Sequence, residues 1–314
     1  MSDQAEALRT LATHIVARRS ATGKAVAQIR ASFSRVIAVT SGKGGVGKTN
    51  ITVNLAIALA RMGQRVLIFD ADLGLANVDT VAGVEPVYTL QHALSNVCTL
   101  EEAVCDGPGG IKLISGGSGV LELVNLNEQR RRRIVRDLAK LEHLADWIFL
   151  DTGAGISRNV LSFVQAAAEV LVVTTPEPTA VCDAYATIKV ACQRNSEVSF
   201  KLLVNMAASE REGMDVARNM AAVASEFLNT TVETLGIIPQ DPALPRAVRL
   251  RRPVLLEAPK SPVSTRLTEI ASFLLTGQQP IRRIGFADFV ERLAGFLGVG
   301  TRRGEALVGA QHEL

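Results

Sequence analysis

Gly42-Lys43-Gly44-Gly45-Val46-Gly47-Lys48-Thr49 is the stretch that decides how this chain is read. A Gly, four free positions and then Gly-Lys-Thr make the phosphate-binding loop pattern. The apolar run Val36-Ile37-Ala38-Val39-Thr40 precedes it, and a helical pattern from Asn54 to Ala60 follows. Strand, glycine loop and helix are the context the motif requires. The glycines let backbone N–H groups converge on phosphate oxygens with no Cβ in the way, and the helix N-terminus adds a favourable dipole. Lys48 would then reach the β- and γ-phosphates of a nucleotide, and the Thr49 hydroxyl would ligate Mg²⁺. An ordinary Gly-rich strand-to-helix turn is the bland alternative. It fits less well, because every position of the pattern is filled in the right context.

Bulk properties agree with an intracellular enzyme. The chain has 314 residues, 47% of them hydrophobic and 4% aromatic, so it can build a large and mostly aliphatic core. A formal net charge of +3 neither demands nor excludes a polyanionic partner. The N-terminus is polar (Ser2, Asp3, Gln4, Glu6, Arg9) and lacks the apolar stretch of a signal peptide. No apolar run approaches the roughly 18 residues of a membrane span. Cys98, Cys105, Cys182 and Cys192 show no Cys-x-x-Cys spacing and read as reduced thiols.

The spacing of apolar runs predicts an α/β fold, a doubly wound and mostly parallel sheet flanked by helices. β-Branched runs at Arg65–Asp70, Ile111–Ser115, Trp147–Asp151, Val170–Thr175, Lys201–Asn205 and Leu235–Pro239 alternate with helical stretches. Ligands of such sheets sit outside the carboxyl ends of the strands. Polar residues collect there: Asp70 and Asp72, Asp151, Thr174-Thr175-Pro176-Glu177, and Asn205. One charged strand end is an ordinary solvated loop start, but four beside a phosphate loop make a site. The run Arg130–Arg133 lies in a helical pattern and reads as a solvated face.

The second lysine of the loop, Lys43, carries a resemblance. Lys43-Gly44-Gly45-Val46-Gly47-Lys48-Thr49 resembles the deviant phosphate loop of the MinD/ParA ATPases. Phe69 to Asp79 is similar to that family's switch I, and Asp151-Thr152-Gly153-Ala154-Gly155 to its Walker B and switch II. Val204-Asn205 and Ile238-Pro239-Gln240-Asp241 match its two adenine-holding segments. The resemblance covers roughly residues 35 to 275 and implies a P-loop NTPase that takes ATP and Mg²⁺. It implies that Thr49, Asp70 and Asp151 hold the metal, the two carboxylates through water, and that Asp72 orients the attacking water. Asp70 and Asp72 face the same side of an extended segment. By the same resemblance, Lys48 in cis and Lys43 from a second copy stabilise charge on the γ-phosphoryl oxygens. The Gly155 N–H can sense that phosphate, and Asn205, Pro239 and Asp241 hold the base. ATP would then join a homodimer and slow hydrolysis would release it.

Within the family, Thr174 to Thr179, Asp183-Ala184-Tyr185 and Asp151 to Ser157 resemble the FlhG (FleN, YlxH) branch, which sets flagellar number and placement. Asp3-Gln4-Ala5-Glu6-Ala7-Leu8-Arg9 resembles the branch's segment that stimulates the flagellar GTPase FlhF. Asp3, Gln4, Ala5, Leu8 and Arg9 are its candidate partner-binding residues. The pattern alone reads as a short helix packing on its own domain, with Asp3 and Glu6 at capping-box spacing. At the other end, Phe286, Phe289, Val290, Leu293, Phe296 and Leu297 fall within an arc of roughly 120°. This helix is similar to the membrane-targeting helix of MinD and FlhG. Arg282, Arg283, Arg302 and Arg303 around it would suit an anionic lipid surface. Docking in a groove of the ATPase domain fits the periodicity equally well, and the two are compatible if the helix is released on dimerisation.

The expected organisation is an N-terminal activator helix and linker (1–33), an ATPase domain (34–276) and a tail (277–314) with a membrane-targeting helix at about 285–298. The chain would be cytoplasmic, and peripheral on the cytoplasmic face of the inner membrane when ATP-bound. Flagellar C-ring proteins or a flagellar transcription regulator are further partners that the sequence does not rank. MinD-type division control is one alternative. A ParA-type DNA partition ATPase would need a basic surface, for which Arg246, Arg249, Arg251 and Arg252 are the tight candidates, so nucleic acid is disfavoured. Unpaired cysteine spacing counts against an iron–sulfur carrier.

Overall fold

The computed structural model describes residues 34–72, 77–116, 133, 136–195, 197–277 and 285–296. In order, the elements are β1 (Arg35–Ser41), α1 (Lys48–Arg61), β2 (Val66–Ala71), α2 (Val78–Ala82), α3 (Leu90–Leu94), β3 (Cys105–Asp106) and β4 (Lys112–Ile114). Then come β5 (Trp147–Ala154), α4 (Arg158–Ala166), β6 (Glu169–Thr174), α5 (Pro178–Arg194), β7 (Ser199–Ala207), α6 (Glu210–Leu228) and β8 (Val232–Pro239). The chain continues through α7 (Ala243–Arg249), α8 (Val254–Glu257), α9 (Pro262–Thr276) and α10 (Phe286–Phe296).

The strands form one sheet in the order β3-β4-β2-β5-β1-β6-β7-β8. Every pairing is parallel except β3 with β4. Alternation along each strand feeds two cores. Val36 and Ala38 of β1 join Phe69, Leu150 and Val172 on one face, under α4, α5, α6 and α10. Ile37 and Val39 join Ile68, Phe149 and Val173 on the other, under α1, α7, α8 and α9. Both faces being covered explains why the strands read as continuous apolar runs. Each run expected as a strand lies in this sheet. The short antiparallel β3 carries no such pattern and is an addition.

At the amino ends of the central strands an ion pair is sealed inside. Arg35 donates from Nε and Nη2 to the two carboxylate oxygens of Glu169, both at 2.6 Å, and from Nη1 to the Leu274 carbonyl at 2.8 Å. Its guanidinium lies 4.5 Å from the centre of the Trp147 ring. Both partners are buried, so this contact ties β1, β6 and the end of α9 together.

The apolar arc of the C-terminal helix is packed inward. Phe286, Phe289, Val290 and Leu293 are all buried, while Phe296 is 37% exposed. Phe286 and Phe289 stack with their ring centres 5.9 Å apart, Phe69 meets Phe286 at 6.5 Å, and Phe163 meets Phe289 at 6.3 Å. The Phe286 N–H donates to Glu142 Oε1 at 3.1 Å. Four of the six residues expected to face a membrane therefore face β2 and α4 in this state. Leu297 lies outside the described residues, as do Asp3, Gln4, Ala5, Leu8 and Arg9.

Removing one member of a buried ion pair strands the other. Glu169→Ala should lower the unfolding free energy in urea by about 3–5 kcal/mol, and the joint replacement Arg35→Met with Glu169→Leu should recover most of that loss. A double variant as unstable as the single one would show that the pair does more than satisfy its own charges.

Candidate active site

The loop after β1 is held open by two close contacts. A Cβ on Gly42 would lie 2.1 Å from the Asp183 carbonyl carbon, so α5 can pass against the loop backbone only at a glycine. Gly47, at φ 88°, starts α1 from a left-handed conformation that a side chain would strain. The Asn205 side chain, near the carboxyl end of β7, donates from Nδ2 to the Val46 carbonyl at 2.8 Å, pinning the loop to that strand. Among the described residues, its buried Oδ1 has no hydrogen-bond partner. An unpaired buried acceptor beside the loop is what a ligand donor, such as an adenine amino group, would satisfy. Lys43, Gly44, Gly45 and Val46 wall an open cleft of about 460 Å³ with Thr175, Glu177, Met206 and Gln240. That volume is in the usual range of ligand pockets.

At the floor of the site, parallel register sets Asp70 of β2 opposite Asp151 of β5. Asp151 accepts from Lys48 Nζ on Oδ1 (3.0 Å) and from Thr49 Oγ1 on Oδ2 (2.7 Å), and Thr52 Oγ1 lies within donating distance of Oδ1 at 3.0 Å. Asp70 accepts backbone N–H groups of Asp72 (3.1 Å), Asn77 (3.0 Å) and Val78 (3.1 Å). Burial, and then the charge of Asp151, push the Asp70 carboxyl up to about 7 against those three donors. Two buried carboxylates beside a hydroxyl are hard oxygen donors. A dication would offset the burial and the neighbouring charge that together hold Asp70 so high. Thr49, Asp70 and Asp151 thus fit Mg²⁺, whose chemistry is to neutralise charge on phosphoryl oxygens.

The remaining expected residues divide. Asp72 stands beside this pair, with its carboxylate lying against Gly153, where an added Cβ would be 3.3 Å from Oδ1. Lys43 Nζ reaches Glu177 Oε1 at 2.7 Å and Thr179 Oγ1 at 3.1 Å, so here its charge is met within its own chain. Lys43 holds the Glu177 carboxyl below the usual range, helped by Thr179. The Gly155 N–H donates to the Ser41 carbonyl at 2.8 Å, and is not free to offer itself to a phosphate without giving up that bond. Both oxygens of Asp241 accept backbone N–H groups, Ala243 at 2.8 Å and Val263 at 3.1 Å. Its carboxylate thereby staples α7 to α9 at the turn that follows β8. Thr52 is the residue that sequence reading passed over, since a threonine one turn into a helix carries no signal of its own. Part of the segment similar to switch I, residues 73–76, lies outside the described residues.

Comparison with known proteins agrees with this geometry. A family described as ParA, NUBPL iron-transfer P-loop NTPase, matches residues 32–275. The antiactivator FleN of Pseudomonas aeruginosa is 39% identical over 268 residues, covering 85% of this chain and 96% of that protein. The flagellum site-determining protein YlxH of Helicobacter pylori is 37% identical, covering 84% and 91%. Among solved structures, the septum site-determining protein MinD of Pyrococcus horikoshii, complexed with Mg-ADP, superimposes with a TM-score of 0.62 at 26% identity, covering 78% and 98%. The chain belongs to the ParA/MinD family of P-loop NTPases. It is an ATPase of that family, and its cofactors are ATP and Mg²⁺.

A raised carboxyl pKa has a definite sign in stability. Native Asp70 keeps its proton up to about 7, whereas the unfolded chain releases it near 3.8. The protonated group's contribution is therefore complete below 3.8 and is lost as the pH rises through about 7. In EDTA and without nucleotide, the wild type should lose stability relative to Asp70→Asn between pH 5 and pH 8 in urea titrations. A difference between the two proteins that does not change with pH would remove the raised-pKa assignment.

Proposed function

We propose that this ATPase is a dimerising switch that controls flagellar number or placement and stimulates the GTPase FlhF. The observation that carries the flagellar reading is identity of 39% and 37%, over most of both chains, to an antiactivator FleN and a flagellum site-determining YlxH. The division reading rests on MinD relatives at lower identity, such as 32% for the Synechocystis protein. For iron transfer, the family description stands alone. All four cysteines are free thiols, and the described residues hold no group of three or more His, Cys, Asp or Glu placed for a metal.

The chemistry proposed is assembled from the chain's own groups. Thr49 and Asp151 fix the inner end of the phosphate loop, and Lys48 turns from Asp151 to the phosphates. Asp72 takes a hydrogen bond from the attacking water and aligns it. The Lys43 side chain is 41% exposed at the rim of the cleft, which supports a role across a two-fold interface. Meeting the partner's nucleotide requires it to leave Glu177 and Thr179. The segment 1–33 is the activator of FlhF. Helix α10 is held against β2 and α4 in the state described, and contacts the cytoplasmic face of the inner membrane when ATP joins two copies. No helix among the described residues is long and apolar enough to cross a membrane, so this contact is peripheral.

Two variants separate binding from hydrolysis. Lys48→Ala should abolish ATP-dependent dimerisation in light scattering. Asp72→Ala should still dimerise with ATP but lose hydrolysis by roughly 10²-fold or more, the usual worth of a positioned proton acceptor. Normal turnover in Asp72→Ala would remove its assigned role.

The partner is tested by following GTP hydrolysis of the same organism's FlhF with full-length protein and with a form lacking residues 1–20. Stimulation by the full chain that vanishes on truncation is the expected result. Active FlhF that shows no stimulation would overturn the flagellar reading, and ATP-dependent binding to DNA or to anionic vesicles would then select between partition and division.

A further inference from the structure

Asp151 is 1% exposed and carries the charge on which the floor of the site is organised. In the state described, that charge is met chiefly by Lys48, whose Nζ lies 3.0 Å from Oδ1. Lysine in a phosphate loop acts on the nucleotide, so nucleotide binding must draw it away from Asp151. A buried carboxylate oxygen that loses its only strong donor is costly to leave unpaired. The site therefore needs a second donor on Oδ1 that does not leave.

Thr52 supplies it. Its Oγ1 lies 3.0 Å from Asp151 Oδ1 and also 3.0 Å from the Lys48 carbonyl, one helical turn before it. A hydroxyl has one proton, so only one of these two acceptors is served at a time. Bonding back to the preceding turn's carbonyl is the ordinary habit of threonine in a helix. That carbonyl is not stranded when the proton turns away, because in an α-helix it also accepts the backbone N–H four residues on. Thr52 itself is fully buried, packed in the first turns of α1. Its Oγ1 already lies 3.0 Å from both acceptors, so the proton changes acceptor by rotating about the Cβ–Oγ1 bond alone.

The geometry points to Thr52 as the positioning residue that holds Asp151 when Lys48 turns to the phosphates, its proton passing from the Lys48 carbonyl to Asp151 Oδ1. Lys48 is thereby freed at small cost, and the Asp151 carboxylate keeps its orientation beside Thr49. The inference rests on the ATPase site and is independent of the flagellar reading.

Thr52→Val keeps the shape and the branch at Cβ but removes the proton, and Thr52→Ser keeps the proton. In calorimetry with ATP and EDTA, so that no metal takes part, Thr52→Val should bind roughly tenfold more weakly than wild type, the scale of one hydrogen bond to a charged group. Thr52→Ser should bind within about threefold of wild type on the same scale. Thermal melting without nucleotide supplies the second readout. Thr52→Val should barely shift the melting temperature when Lys48 is present, and lower it clearly in a Lys48→Met background, where Asp151 has lost its other donor. The inference is overturned if Thr52→Val binds ATP as tightly as wild type. It is equally overturned if Thr52→Ser is as weak as Thr52→Val, or if the melting shift is the same in both backgrounds.

Discussion

The carboxylate of Asp151 is the contact on which the site depends. It ends the apolar part of β5 and faces three donor groups in the first turns of α1, those of Lys48, Thr49 and Thr52. The two segments lie about a hundred residues apart in sequence, and this one group joins the carboxyl end of β5 to the helix that follows the phosphate loop. Parallel register then sets Asp70 at its side, so that a second carboxylate is buried next to the first. Lys48 balances one of the two charges. The other is held off by the raised pKa of Asp70, so a second negative charge develops there only when a cation arrives to meet it.

Stability and function are divided between the two ends of the sheet. The amino ends carry the buried Arg35–Glu169 pair, fully satisfied by two short bonds, a carbonyl and an aromatic face. The carboxyl ends carry the opposite: a carboxyl forced toward its neutral form and two of the three unpartnered buried side-chain atoms found among the described residues, Thr40 Oγ1 and Asn205 Oδ1. Local imperfections of this kind persist where a ligand completes them. Helix α10 adds a large apolar contact on one face through Phe286 and Phe289, which meet Phe69 of β2, next to Asp70, and Phe163 of α4.

Much of this was legible before the structure. The phosphate loop is visible because its glycines and lysines are dictated by backbone geometry and phosphate charge. The central strands are visible because burial on both faces writes apolar runs of fixed length, such as Val36 to Val39. The two-residue β3 was not legible, since two residues cannot show a period. The docking of α10 was legible only as an apolar arc: periodicity says that Phe286 and Phe289 need cover, not whether protein or lipid provides it. Asp241 illustrates a different limit. The resemblance of Ile238 to Asp241 implied a contact with the base, and nothing in the sequence showed that folding also brings two backbone N–H groups to its oxygens. Thr52 was hidden because its role appears only when β5 is folded against α1.

The Lys43–Glu177 contact sets how readily the loop changes partners. Both side chains are largely exposed, at 41% and 54%, so water already screens the attraction between them. A pair buried like Arg35 and Glu169 would hold the lysine against any competitor, because breaking it would strand a desolvated charge. An exposed pair holds it loosely. Glu177 and Thr179 keep the Lys43 ammonium at the rim of the cleft in the absence of another anion, and a triphosphate carries more charge than one carboxylate. The same exposure makes the contact salt-sensitive, whereas the Asp151 cluster beneath it is shielded. The site thus pairs a buried floor with a weakly held cation at its mouth.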